Sequence, residues 1–330
     1  MRFASGMRPS LADTCGPGNV ATPLALPPRM RRMLRRNFLL QTGGAFIAIS
    51  TGVNLARAAK PVADRVGMGT VLFRNRFIQT KPEALADLVN PLTLLEVPVY
   101  FRERFGVRQL EFWSKHFESL ETTYLRDLRG RIQAAGAELI NVQVDAPYDL
   151  ASMDDQERLR SLDIVRQWID AAASLGSRAI RINPGKTGGS VEKSIASMKE
   201  VNRYCVSKGL PLLTENHFGI EMNPDVHLRI RDAAGPDNFY TLPDFGNYPV
   251  ETMWESLEKI LPHAYLISAK AVDFDAQGKH LTYDFDRCVQ LCERAGFRGI
   301  YLVEQWSRRE QDLDTEKIAD WLLARVRANI

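Results

Sequence analysis

Leu212-Leu213-Thr214-Glu215-Asn216-His217 is an apolar run that ends on an acid, and a segment with helical periodicity follows it over 224–233. The pattern recurs twice. Tyr240-Thr241-Leu242-Pro243-Asp244-Phe245-Gly246-Asn247 precedes a helix-like 251–260, and Ile300-Tyr301-Leu302-Val303-Glu304-Gln305-Trp306 precedes a helix-like 315–328. Short apolar runs bounded by turn residues read as buried strands. A Glu or Asp at the end of such a run is badly placed for a core, because an unpaired carboxylate out of water is costly. It is well placed at the mouth of a parallel barrel, where the carboxyl ends of the strands carry the chemistry. Glu215, Asp244 and Glu304 gathered in one cup repel one another unless a cation or a proton sits among them. The pattern points to a divalent metal, to acid/base work, or to both.

Outward from these three, strand-like and helix-like segments alternate along the chain. The other pairs are 66–72 with 94–105, 108–113 with 121–135, 138–144 with 156–173, 178–182 with 191–207, and 265–270 with 286–295. Gly106, Gly136, Gly176, Gly209 and Gly296 each stand between a helix and the next strand, where a left-handed C-cap is wanted. Alternating strands and helices imply a parallel sheet. Eight pairs in about 265 residues is the size of a (β/α)8 TIM barrel. A doubly wound sheet is the alternative, but it calls for a Gly-rich turn after the first strand, and Gly67-Met68-Gly69-Thr70 supplies only a fragment of one.

Hydrophobic content of 45% and charged content of 25% describe an ordinary globular protein. The formal charge of +3 comes from 43 Lys+Arg against 40 Asp+Glu, but residues 1–58 hold eight of the Arg and one acid, Asp13. The remainder therefore carries 35 bases and 39 acids, a net of −4. A mildly acidic body has no electrostatic footprint for nucleic acid. Arg35-Arg36-Asn37-Phe38-Leu39-Leu40 resembles a twin-arginine export signal, and Ala56-Arg57-Ala58 fits a small-x-small cleavage site. The stretch between is too short and too polar for a membrane span. Residues 1–58 are thus expected to be a leader, the barrel to run over 62–330, and the protein to reach the periplasm or another extracytoplasmic space by the twin-arginine translocase. Met30 or Met33 would give the arginine pair a more usual distance from the start. Cys15 falls in the leader, Cys205 on a helix, and Cys288 and Cys292 share a helix face with no His or further Cys to complete a zinc site, so the latter pair is expected in the core.

From about residue 66 on, the chain resembles the xylose-isomerase-like TIM-barrel superfamily of sugar isomerases and epimerases. Thr214-Glu215-Asn216-His217 resembles its fifth-strand Glu motif, and Asp244-Phe245-Gly246-Asn247 its sixth-strand Asp motif. Ala269-Lys270-Ala271-Val272-Asp273-Phe274-Asp275, with Gly278, resembles the seventh-strand Lys motif of one branch, and Gly299-Ile300-Tyr301-Leu302-Val303-Glu304 the closing strand. The resemblance implies that Glu215, Asp244 and Glu304 hold a divalent metal (Mn2+, Mg2+ or Zn2+), usually completed by a seventh-strand His, and that Glu215 and Glu304 move protons. Here Ser268 stands where that His is expected, and a hydroxyl is a poor substitute as a ligand. Lys270, two residues on, shares its side of the strand, and its ammonium can neutralise part of the charge a metal would.

His217, Lys270, Asn247, Arg181, Asn183 and Glu111 are the expected substrate-binding residues. Arg181 and Asn183 share a strand face, as do Glu111 and Trp113. Each has a structural reading too: Lys270 as an ion-pair partner of Asp244 or Glu304, Trp113 as a packed ring. Gly185-Lys186-Thr187 looks like the end of a P-loop, but Ile180 stands where that motif needs Gly, so a linking loop is expected. The function implied is a sugar isomerase or epimerase working through an enediolate. A keto-sugar lyase shares the first step, and a non-catalytic sugar-binding protein is the other alternative. A DNA-repair endonuclease on the same barrel would need a His-rich zinc cluster and a basic face, and the five His of this chain and its charge offer neither.

Overall fold

A computed structural model of the chain describes residues 65–83, 87, 90–275, 278–306 and 314–330. Residues 1–58, where a leader with an arginine pair and Cys15 is expected, lie outside the described residues. Eight strands run in sequence: β1 (Val66–Gly69), β2 (Gln109–Trp113), β3 (Glu138–Val144), β4 (Ile180–Ile182), β5 (Leu212–Glu215), β6 (Phe239–Leu242), β7 (Leu266–Ala271) and β8 (Ile300–Gln305). Between and after them stand α1 (Val97–Phe105), α2 (Thr122–Ala134), α3 (Asp155–Leu175), α4 (Val191–Ser207), α5 (Pro224–Ala234), α6 (Val250–Ile260), α7 (Phe285–Arg294) and α8 (Thr315–Asn329). The strands pair in parallel in the order 6-5-4-3-2-1-8-7. β6 and β7 close the ring through bridges of Thr241 with Ala264 and of Asp244 with Ser268. The Ser268 amide donates to Pro243 O at 2.9 Å across that seam. This is the (β/α)8 TIM barrel that the alternation implies, and its closing seam carries two site residues.

Two core layers result. Leu72, Phe101, Leu128, Val165, Met198, Leu257 and Leu322 belong to the layer between strands and helices, and Cys205, Cys288 and Cys292 are buried thiols within it. Ile140, Leu213, Leu242, Leu266, Ile300 and Leu302 form a smaller apolar cluster. Strand side chains repeat with period two. The parity that places Leu213 and Leu302 in that cluster therefore carries Glu215 and Glu304 upward on the same inner face. Gly106 and Gly176 cap α1 and α3 at φ of 67° and 74°, as the sequence requires.

Two boundaries differ from expectation by three residues. The first strand was expected to reach residue 72, but β1 stops at Gly69 and Thr70–Arg76 is a 3-10 turn. Thr70 is held there: its hydroxyl accepts the Trp113 amide at 3.0 Å and lies 3.0 Å from His116 Nδ1. α1 begins at Val97 rather than 94, because Pro98 lies in its first turn and the Glu96 carboxylate takes the Thr93 amide and hydroxyl at 2.9 and 2.8 Å. Among the described residues no helix is long and apolar enough to cross a membrane.

Candidate active site

A cavity of about 410 Å3 opens at the carboxyl ends of the strands, with Glu215, Glu304, Lys270, Arg181, Gln143 and Asp145 on its polar walls. Its mouth is aromatic. Trp113 and Trp306 meet edge to face at 6.1 Å, the Arg74 guanidinium lies 4.0 Å over the Trp306 ring, and the Lys115 ammonium lies 5.0 Å from the Trp113 ring. Phe218 and Tyr148 complete the rim. Rings of this kind present apolar faces to the C–H surface of a sugar.

Register sets the chemistry. Lys270 on β7 is the direct partner of Glu304 on β8. Its ammonium stands 3.1 Å from Glu304 Oε1, 3.4 Å from Asp244 Oδ2 and 3.0 Å from Asn247 Oδ1, to which it donates. Asn247 passes the contact on, donating through Nδ2 to Glu215 Oε1 at 3.0 Å. Glu215 is ion-paired by its other oxygen to Arg181 Nε at 3.0 Å, and Arg181 reaches Asp145 Oδ1 at 2.5 Å and Val144 O at 3.2 Å. Trp113 Nε1 donates to Asp145 Oδ2 at 2.6 Å. On the far side, Gln143 donates to Glu304 Oε2 at 3.2 Å, and the Ser268 hydroxyl stands 3.2 Å from Asp244 Oδ2 and 3.3 Å from Glu304 Oε2.

The two glutamates are thereby made unlike. Burial alone would raise both. Lys270, by charge and hydrogen bond, brings Glu304 below the usual carboxylate range, so it is ionised. Glu215 stays raised, burial and the Glu304 charge outweighing Arg181 and Lys270. Asp244 is pushed well above its ordinary value by burial and by the charges of Glu215 and Glu304, against Lys270. Burial opposes the charge of Lys270, but Asp244, Glu304 and Glu215 overcome it and hold the ammonium protonated. Burial and then Arg181 lower the His217 imidazole to about 4, so it is neutral at pH 7.

Of the residues expected from sequence, Glu215, Glu304, Arg181, Asn183, His217 and Lys270 line the cavity. Asn247 stands behind the wall, holding Lys270 and Glu215 in place. Glu111 lies deeper: it is buried, takes Asn141 Nδ2 at 2.6 Å, and is pushed well above the usual range by burial and the Glu304 charge. Neither is among the lining residues. Trp113 is both buried and at the wall. The loop with Lys186 is pinned rather than merely linking: Lys186 bridges Gly219, Gly185 O accepts the Ile220 amide at 3.3 Å, and a Cβ on Gly219 would stand 2.0 Å from Gly185 O.

Sequence reasoning missed Gln143, Asp145, Trp306 and Glu221. Gln143 and Asp145 continue the inward parity of β3, a signal like that of Glu215. Glu221 lies in a short 3-10 turn after β5, where no pattern marks it. Burial raises its carboxyl to about 7, although it accepts the Gly219 amide at 3.0 Å. The folded state therefore binds this proton more tightly than the unfolded chain does. Stability must fall as pH rises from about 4.5 to about 7, by on the order of 3 kcal/mol at about 1.4 kcal/mol per pKa unit. Glu221→Gln should gain stability relative to wild type at pH 8 and not at pH 4.5. Urea unfolding at the two pH values checks this, and an equal difference at both would refute it.

The divalent metal implied by the resemblance can be tested against these residues. Its three carboxylates do converge, but two of them face the Lys270 ammonium and the third faces Arg181. Ser268, at the expected His position, engages Asp244 and Glu304 through its hydroxyl. Among the described residues no group of three or more His, Cys, Asp or Glu is arranged to hold a metal. The residues present do not fit the ion.

The chain matches the xylose isomerase-like TIM barrel family over residues 101–325 and belongs to it. It is similar to L-ribulose-5-phosphate 3-epimerase UlaE of Escherichia coli O1:K1, 25% identical over 198 residues, covering 54% of this chain and 68% of the relative. Among solved structures it resembles 3-keto-D-glucoside 4-epimerase YcjR from E. coli, with a TM-score of 0.56 and 15% identity over 79% of this chain and 99% of that one. It also resembles a xylose isomerase-like TIM barrel protein from Mycobacterium smegmatis in complex with magnesium, with a TM-score of 0.57 and 15% identity over 80% and 97%. At that identity the solved structures speak for the fold alone.

Proposed function

We propose that this chain is an exported sugar isomerase or epimerase that moves a proton through an enediolate intermediate. The observation that carries the reading is the placement of Glu215 and Glu304 on the walls of one cavity, from β5 and β8, which β6 and β7 separate on one side and four strands on the other. Two carboxyls of unlike proton affinity facing one substrate from different walls form an acid/base pair. Glu304, the ionised member, takes the proton from the carbon beside the carbonyl of a keto-sugar. The C–H electron pair becomes the C=C bond, and the carbonyl pair moves onto oxygen. Glu215 returns a proton: in an epimerase to the same carbon, as the oxygen pair re-forms the carbonyl; in an isomerase to the neighbouring carbon, as the first carbon's hydroxyl becomes the new carbonyl and its proton passes to the enediolate oxygen. Trp113 and Trp306 take a face of the sugar, while Arg181, Asn183, His217 and Asp145 meet its hydroxyls.

The epimerase names among the relatives agree with this substrate class. The test is a panel of ketoses and keto-glycosides incubated with the protein in heavy water. Deuterium on carbon, accompanied by an isomer, is the expected result. Sugar binding with no exchange in any member would put a non-catalytic binding protein in its place. Export belongs to the proposal and rests on Arg35-Arg36 and Ala56-Arg57-Ala58. N-terminal sequencing of protein recovered outside the cytoplasm should begin at Ala59, and an intact N-terminus retained in the cytoplasm would refute it.

A further inference from the structure

We propose that Lys270 is the cationic centre of this site, holding the oxygen on which charge develops, in the place that the resemblance gives to a divalent ion. What the charge does rests on the proton-transfer reading above; where the charge sits rests on geometry.

Lys270 and Glu304 face each other in register across β7 and β8, so their contact is built into the sheet. Three oxygens surround the ammonium, from Glu304 at 3.1 Å, Asp244 at 3.4 Å and Asn247 at 3.0 Å. An ammonium has three hydrogens, so the set is matched in number. Asp244 is the most distant of the three, and a substrate oxygen that entered from the cavity would take its place. The stem of the side chain also has a prepared path. It runs over Gly246, where a Cβ would stand 3.1 and 3.2 Å from Lys270 Cδ and Cγ. The Tyr283 hydroxyl donates to the Lys270 carbonyl and holds the strand end below it. Lys270 is 5% exposed.

The remaining expected ligands are committed elsewhere. Glu215 is held by Arg181 and Asn247, and Ser268 bridges Asp244 and Glu304. An ion bound by the same oxygens would stand about 2.0–2.2 Å from each, within the space of the ammonium and against its charge. A preorganised cation at the developing oxyanion supplies what catalysis needs there without reorganising. In the step itself the ammonium keeps its three hydrogens. The proton leaves carbon for Glu304, the C–H pair forms the C=C bond, and the negative charge on oxygen is met by an N–H hydrogen bond from Lys270.

The test begins without substrate. Mn2+ is titrated into the full-length protein, with binding followed by electron paramagnetic resonance and by the thermal unfolding midpoint. No saturable binding and an unchanged midpoint, with or without EDTA, are expected. One Mn2+ per chain with a raised midpoint overturns the proposal. Next, Lys270→Met is compared with wild type in the heavy-water exchange assay. A loss of about 10²–10³-fold is expected, in the range for removing one oxyanion donor, with no recovery on adding Mn2+ and with exchange by wild type unaffected by EDTA. Wild-type exchange in Lys270→Met, or recovery by Mn2+, overturns the proposal. Should that variant fail to fold, the wild-type titration and EDTA arms still decide. Exchange absent from the wild type with every sugar, beside a negative titration, removes the proton-transfer reading and with it the catalytic part of Lys270.

Discussion

Glu304→Gln will stop the exchange of the substrate's carbon-bound proton while leaving the cavity intact. The amide keeps the shape of the side chain, and its one oxygen can still accept from Lys270, while the NH2 that replaces Oε2 turns toward Gln143 and the Ser268 hydroxyl, which can rotate to accept from it. Its basicity is gone. A positioned acid or base contributes about 10²–10⁴-fold, and the loss should lie in that range at saturating sugar. Glu215→Gln should lose a similar amount, because the proton must be returned as well as removed. The double variant should lose far less than the product of the two, since residues that act as one unit are not additive. Heavy-water exchange read by NMR gives all three rates. Normal exchange in Glu304→Gln would remove that residue from the reaction, and a fully multiplicative double variant would mean that the two carboxyls act in separate steps.

The barrel was legible because its signals are local: apolar runs of strand length, glycines just past helices, and acids at strand ends. The end of β1 was not, because Thr70 is held by Trp113 and His116, 43 and 46 residues away. The site was half legible for the same reason. Strand parity marks which residues face inward, and it marked Glu215, Glu304, Lys270 and Arg181. It does not mark depth. Glu111 precedes Trp113 by two residues of strand, about 6–7 Å of rise, and that step puts it beneath the cavity rather than in it. Nor does parity reveal partners. Asp145 follows Val144 as Glu304 follows Val303, yet its importance comes from Arg181, 36 residues on. Ser268 at an expected His position, with Lys270 two residues on, was the local sign that set this site apart from the pattern it resembles. Its meaning became readable only with the Lys270 ammonium between Asp244 and Glu304.

Arg181→Met should be the most destabilising single change in the site. Arg181 is 1% exposed and pairs with two acids, Asp145 at 2.5 Å and Glu215 at 3.0 Å. Methionine fills much of the volume but leaves both acids buried without their cation, and breaking a buried pair in this way costs about 3–5 kcal/mol. The sign of the pH dependence follows. Burial opposes the charge of Asp145, but Arg181 now holds its carboxyl below the usual range, so its contribution to stability is present at neutral pH and is lost only in acid. Without Arg181 burial dominates, the folded carboxyl binds its proton more tightly than the unfolded one, and stability falls as pH rises. The deficit of the variant should therefore be larger at pH 8 than at pH 4. Adding Glu215→Gln to Arg181→Met should recover part of it, because one stranded charge is then absent. Urea unfolding of wild type, the two single variants and the double variant at both pH values measures the coupling directly. A deficit independent of pH, or strictly additive single losses, would mean that Arg181 contributes packing and not charge to this site.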